Sequence, residues 1–109
     1  RDYLHVVDLA DAHVRSLKSL SARDEGFTCN LGTGRGSSVM EVIAAFERAT
    51  GKTIPYELAG RRSGDAIEAW AEPSLARELL GWESKHSLEE MLVDAWRWQE
   101  KNPNGYDSG

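Results

Sequence analysis

The strongest constraint on this chain is how its helices are punctuated. Two S-x-x-E boxes, Ser38 to Glu41 and Ser87 to Glu90, stand immediately before apolar runs at helical spacing. In such a box the serine oxygen accepts from an amide of the first turn, and the glutamate reaches back to the serine's own amide. Behind the first box, Val39, Val42, Ile43 and Phe46 recur at three-to-four spacing, and Gly51 stands where a left-handed stop is expected. Behind the second, Leu88, Met91, Leu92, Ala95, Trp96 and Trp98 run to the breaker Asn102-Pro103-Asn104-Gly105. Pro73 fits the first position of a short helix that Gly81 ends. A further helix is expected to be capped by Asp8, with Leu9, Ala12, His13, Leu17 and Leu20 on its buried face.

Between these helices three short segments read as strands: Arg1 to Val7, Phe27 to Leu31 and Ile54 to Leu58. The expected order is strand, helix, strand, helix, strand, helix, helix, an α/β pattern with more helix than strand. Three short strands are thin for a free-standing sheet, so neighbours from outside the chain are expected. The chain starts at Arg1, inside what reads as a structural element, and a piece of a longer protein is the expectation. Residues 1–109 are read as a single domain, with a frayed tail over 102–109.

The 109 residues carry a net charge of −5, which supplies no basic footprint for displacing counterions from a nucleic acid. Nothing in the chain approaches membrane-spanning length. The one cysteine, Cys29, cannot form an internal disulfide and reads as a half-buried packing residue; low cysteine usage fits a reducing, cytoplasmic setting. No Cys/His cluster has metal-ligand spacing.

Candidate chemistry is sparse. Gly32-Thr33-Gly34-Arg35-Gly36-Ser37 lies between a strand and a helix, where a dinucleotide-binding turn would. Ser37 stands where that pattern needs its third glycine, so a tight structural turn is the better account. Arg61-Arg62-Ser63-Gly64-Asp65 could hold a diphosphate, since guanidinium groups match phosphate oxygens two at a time, and Asp65 could accept from ribose hydroxyls. The same spacing suits a solvated charged loop. Arg1-Asp2-Tyr3 allows a second arginine for such a clamp, or an ordinary terminal strand. His5, His13 and His86 read as structural or exposed, and Trp82, Trp96 and Trp98 as core anchors. No nucleophile, base and acid assemble into a catalytic set.

Taken together, "RDYLHVVDLADAHV", "NLGTGRGSSVMEVI", "RRSGDAIEAWAEPSLARELLGW" and "WRWQEKNPNGY" resemble, in order and spacing, the end of UDP-glucose 4-epimerases, members of the extended short-chain dehydrogenase/reductase family. The resemblance runs over nearly the whole chain. It implies a small, helix-rich carboxy-terminal substrate-binding domain with few short strands. It implies that Arg1 and Arg62 grip the pyrophosphate of a UDP-sugar, that Asp65 holds the ribose, and that Tyr3 walls the nucleotide site. It also implies that Ala69, before Trp70, lines the sugar pocket, where a small residue admits N-acetylated sugars. NAD and the family's Tyr-x-x-x-Lys belong to the absent amino-terminal Rossmann domain, so this segment is expected to bind no cofactor and to lack activity alone. Tyr3 and Tyr56 have Val7 and Gly60, not lysine, four residues on. A homodimeric parent is expected, and self-association of the separated segment through apolar surface left uncovered.

Overall fold

A computed structural model describes residues 1–106. Its regular elements are four helices: α1 (Val6–Ser21), α2 (Val39–Thr50), α3 (Ser74–Leu80) and α4 (Leu88–Lys101). Both capping boxes form as the sequence predicts. Ser38 Oγ accepts from Glu41 N and Glu41 Oε2 accepts from Ser38 N at 2.7 Å; Ser87 and Glu90 repeat the arrangement, the return bond being 2.6 Å. Gly51 and Gly81 end α2 and α3 at φ +69° and +59°, a left-handed conformation in which a Cβ would be strained. Pro73 is the cap of α3 rather than its first residue, and Ser74 begins the helix.

No strand forms among the described residues, so the α/β expectation is corrected to a helix-rich fold. The β-prone segments 27–31 and 54–58 take no regular structure and find no ladder. A strand is a paired object, and side-chain preference alone cannot supply its hydrogen bonds. Ile54 N turns to the Glu47 side chain instead, at 2.9 Å. The first predicted strand does not form either: Val6 and Val7 belong to α1, whose cap is His5, with its Nδ1 accepting from Val7 N at 3.0 Å. Asp8, expected as the cap, lies buried in the first turn.

Helix α1 packs on α3, and α2 on α4. The core of the first pair is Ala12, Ala76, Leu80 and Trp82, flanked by Leu4, Phe27, Cys29, Leu31 and Leu79. Cys29 is half-buried, as expected. Of the apolar set expected on the inner face of α1, only Ala12 is buried. Leu9, Leu17 and Leu20 are exposed, and the helix faces the core with Asp8 and Ala12. Trp82 is enclosed and donates from Nε1 to Asp8 O at 2.9 Å. Trp96 packs edge-on against Phe46, but Trp98 is 41% exposed and anchors no core. Of the tail expected to fray, residues 107–109 lie outside the described residues; at 102–106, Gly105 N donates to Asn102 O and the Tyr106 ring meets Trp98.

The two helix pairs are tied at one end by a polar cluster. Asp8 Oδ2 accepts from the amides of Lys85 and His86, and Asp8 Oδ1 meets His86 Nδ1 at 2.7 Å. His5 Nε2 lies 3.2 Å from Asp94 Oδ2, and the two imidazoles are 4.3 Å apart. Thus His5 and His86 are structural, while His13 is exposed and donates to Leu9 O. No described helix is long and apolar enough to cross a membrane.

Candidate nucleotide-binding loop

The loop between α2 and α3 carries Arg62, Asp65 and Ala69, and every residue from 55 to 70 is exposed. Such a loop holds its shape only through tethers. Arg1 supplies one, its guanidinium donating to Ala66 O at 3.0 Å. Arg1 is itself held by Ser37, its amino group donating to Ser37 O and its carbonyl accepting from Ser37 N, both at 2.8 Å. A second tether is the Trp70 ring, which lies over Gly36; a Cβ at residue 36 would come within 3.1 Å of it.

Asp2 supplies the third. Its carboxylate accepts from Thr33 N and Thr33 Oγ1, from Gly34 N, and from Ala71 N at the end of the loop, at 2.6 to 3.2 Å. Burial alone would push this carboxyl up. The Thr33 hydroxyl and the amides of Thr33, Ala71 and Gly34 outweigh burial and hold it below the usual carboxylate range. The glycine turn is built around this group: a Cβ on Gly32 would sit 2.5 Å from Asp2 Oδ2 and 2.6 Å from Ala71 Cβ. The turn is therefore a receptor for a side chain of its own chain. A pyrophosphate does not fit there, because a carboxylate already takes the amides that would cradle it.

The sequence-predicted residues fall into three places. Arg1 meets the loop at Ala66, and with Arg35, Glu68 and Trp70 it lines a cavity of about 600 Å³. Tyr3 lines instead an adjoining cavity of about 460 Å³ with Arg48 and His86, which shares Arg35, Gly36, Ser37 and Glu41 with the first. Arg62 and Asp65 line neither. They pair with each other, Nε to Oδ2 at 3.1 Å, the Arg62 side chain being 87% exposed. Ala69 is exposed on the same loop. Arg1 and the loop are thus brought together, while Tyr3 lines the adjoining cavity and not the one that Arg1 lines. Asp2 went unrecognised in the sequence because its partners stand 31 and 69 residues away. Among the described residues no three His, Cys, Asp or Glu side chains are grouped to hold a metal ion.

No protein-family model matches the chain. The UDP-glucose 4-epimerase of Bacillus subtilis (strain 168) is 51% identical over 108 residues, covering 99% of this chain and 32% of the relative. That of Yersinia enterocolitica is 53% identical over 108 residues, covering 98% and 31%. Among solved structures, the UDP-glucose 4-epimerase of Bifidobacterium longum, in complex with NAD+ and UDP, superposes with a TM-score of 0.90 at 45% identity, covering 97% of this chain and 31% of that one. The chain spans about a third of the length of the curated relatives it matches, and the similarity is to their carboxy-terminal portion.

Proposed function

We propose that this chain, which corresponds to a carboxy-terminal portion of a UDP-glucose 4-epimerase, is the part that binds and orients the UDP end of the sugar nucleotide. The observation that carries the reading is the fixing of Arg1 against the loop that bears Arg62 and Asp65. One guanidinium group on the loop and a second anchored against it suit a diphosphate, each able to donate two parallel hydrogen bonds. Asp65 then accepts from the ribose hydroxyls. The Arg62–Asp65 pair does not oppose this. An exposed pair of this kind is worth about 0–1 kcal/mol, so exchanging Asp65 for a phosphate as the partner of Arg62 costs little.

The whole enzyme's reaction, interconversion of UDP-glucose and UDP-galactose, belongs to the longer protein. There NAD, held by the amino-terminal part, supplies hydride removal from carbon 4 of the sugar and its return. This chain holds no Tyr-x-x-x-Lys pair, and its glycine turn is filled by Asp2. Its contribution is positioning, and alone it binds without turnover. The small Ala69 leaves room for an acetamido group, which extends the substrates to the N-acetyl forms.

The remaining two thirds also account for the surface. The chain exposes 8374 Å², whereas a compact monomer of 12.1 kDa exposes about 6,000 Å². Its radius of gyration of 17.1 Å likewise exceeds the roughly 13 Å of a compact domain this long. The apolar side of α1, with Val6, Val14 and Leu17, is where the absent domain would lie.

The test is a calorimetric titration of the chain with UDP, beside Arg62→Ala. Saturable binding that is lost in the variant is expected. Binding that is absent, or indifferent to Arg62→Ala, overturns the reading. In the full-length enzyme, Ala69→Tyr should abolish turnover of N-acetyl sugars and spare UDP-galactose; equal losses on both would remove the specificity role.

A further inference from the structure

We infer that Asp2 is the positioning residue of the nucleotide site: one carboxylate that locks the glycine turn, and with it Arg1, to the base of the loop carrying Arg62, Asp65 and Ala69. The inference rests on the nucleotide reading of that loop and goes beyond it, because Asp2 touches no proposed ligand itself.

Three observations converge on this residue. The first is how little else holds the loop. Among the described residues, its hydrogen bonds to the rest of the chain over 60–71 are Arg1 to Ala66 O and Ala71 N to Asp2. Trp70 over Gly36 adds the apolar contact. All three tethers end on residues 1–2 or on the turn 32–37, so the loop, Arg1 and the turn form one mechanical unit. Asp2 is the group that bonds to both sides of it.

The second is saturation. Four donors reach the carboxylate from two segments far apart in the chain, three from the turn and one from the loop. A carboxylate can take all four on two oxygens, whereas an amide side chain has one accepting oxygen and would turn a donor toward donors. The chemistry of the hub therefore requires the anion, and Asn is not a substitute for it. The third is the glycine. Residue 32 lacks a Cβ where one would stand 2.5 Å from Asp2 Oδ2, so the backbone comes up against the carboxylate with no intervening atom.

The consequence for binding is pre-organisation. Arg1 reaches Ala66 from a backbone clamped to Ser37, and the loop's far end is pinned at Ala71. With Asp2 released, the loop and Arg1 must be ordered by the ligand. Each residue that the ligand must order weakens its binding about tenfold.

The experiment is a double-mutant cycle on UDP affinity in the 109-residue chain: native, Asp2→Asn, Arg1→Ala and the double variant. Amide exchange over residues 60–71 and the helical melting midpoint are recorded for each. Asp2→Asn should weaken UDP binding about tenfold and speed exchange in the loop while the helices stay protected. In the Arg1→Ala background the same substitution should cost only about threefold, because the cation it positions is gone and the ordering of the loop alone remains. A purely structural residue would show the full loss in both backgrounds. Should Asp2→Asn melt the helices, Thr33→Val carries the test, since it removes one of the four donors and should cost about threefold in the same direction. UDP that binds native and Asp2→Asn or Thr33→Val chains equally overturns this inference alone. UDP that fails to bind the native chain overturns the nucleotide reading, and this inference with it.

Discussion

Replacing Asp8 by Asn tests whether a single buried carboxylate ties the first helix to the fourth. The Asp8 side chain is 5% exposed and accepts from Lys85 N, His86 N and His86 Nδ1 at 2.9, 3.0 and 2.7 Å. Burial alone would raise its pKa; the His86 amide, the His86 imidazole and the Lys85 amide outweigh burial and hold it below the ordinary aspartate range. Asn has nearly the same shape, and its carbonyl can keep the two amides. Its amide group then faces His86, which must present a bare nitrogen as acceptor. Hydrogen bonds to a charged group are worth about 1.5–3 kcal/mol, and neutral ones about 0.5–1.5. Converting three of the first kind to the second, with some geometric loss shared, costs about 2–3 kcal/mol. In urea, where a chain of this size loses about 1–3 kcal/mol per molar, the midpoint should fall by about 1–2 M at pH 7.

The pH dependence of that gap is the sharper check. Because folding depresses the Asp8 pKa, the unfolded chain binds more protons in the acid range, and stability rises with pH there. The contribution is complete above about pH 5 and drains as pH falls through the depressed value. Protonated Asp8 is nearly isosteric with Asn, so the midpoints of native and variant chains should converge in acid. Circular dichroism of urea titrations at about pH 7 and pH 2.5 measures both numbers. Midpoints within about 0.3 M of each other at neutral pH, or a gap as wide in acid as at neutrality, would refute the assignment of Asp8 as a charged tie.

Two further outcomes follow from the helices. Ser87→Ala removes the oxygen that caps Glu90 N and should cost about 1 kcal/mol; Ser38→Ala should match it, and a loss below about 0.3 kcal/mol in urea titrations of both would show that the boxes do not set the helix starts. The chain should self-associate in sedimentation experiments through the uncovered side of α1, and Leu17→Lys, at a site 67% exposed, should reduce association while leaving the melting midpoint nearly unchanged; a concentration-independent monomer would contradict this.

What the sequence yields here divides by range of interaction. Ser38 with Glu41, Ser87 with Glu90, Gly51 and Gly81 act within one turn of backbone, so their letters carry their geometry. The same logic fails for His5 as a cap. Its imidazole has the right acceptor, but Asp8 is the commoner capping residue and stands three places on. The strands fail for a different reason. Ile54 to Leu58 has the side chains of a strand, but the hydrogen bonds that would make it one must come from a neighbour, and none is present among residues 1–106. The outward apolar side of α1 belongs to the same class. Periodicity shows that a face is apolar, and cannot show whether what covers it lies in this chain.

The candidate site was legible to a similar limit. Arg1, Arg62 and Asp65 could be named because their chemistry is written in their functional groups and a family resemblance supplied the order. Their support could not be named. Asp2 sits beside Arg1 and reads as its neighbour of opposite charge, the ordinary expectation for adjacent ions. In the fold it turns from Arg1 and collects the amides of a turn 31 residues away and a loop end 69 away. That also recasts the glycines. In the sequence, Gly32, Gly34 and Gly36 suggest a backbone opened to receive a phosphate. In the fold, Gly32 and Gly36 make room for Asp2 and Trp70, which secure the end of the loop at adjacent residues. The turn and the loop are then one device. A glycine pattern adjoining a binding site can owe its composition to the residues that brace the site, and the discriminating observation is what a Cβ at each glycine would strike.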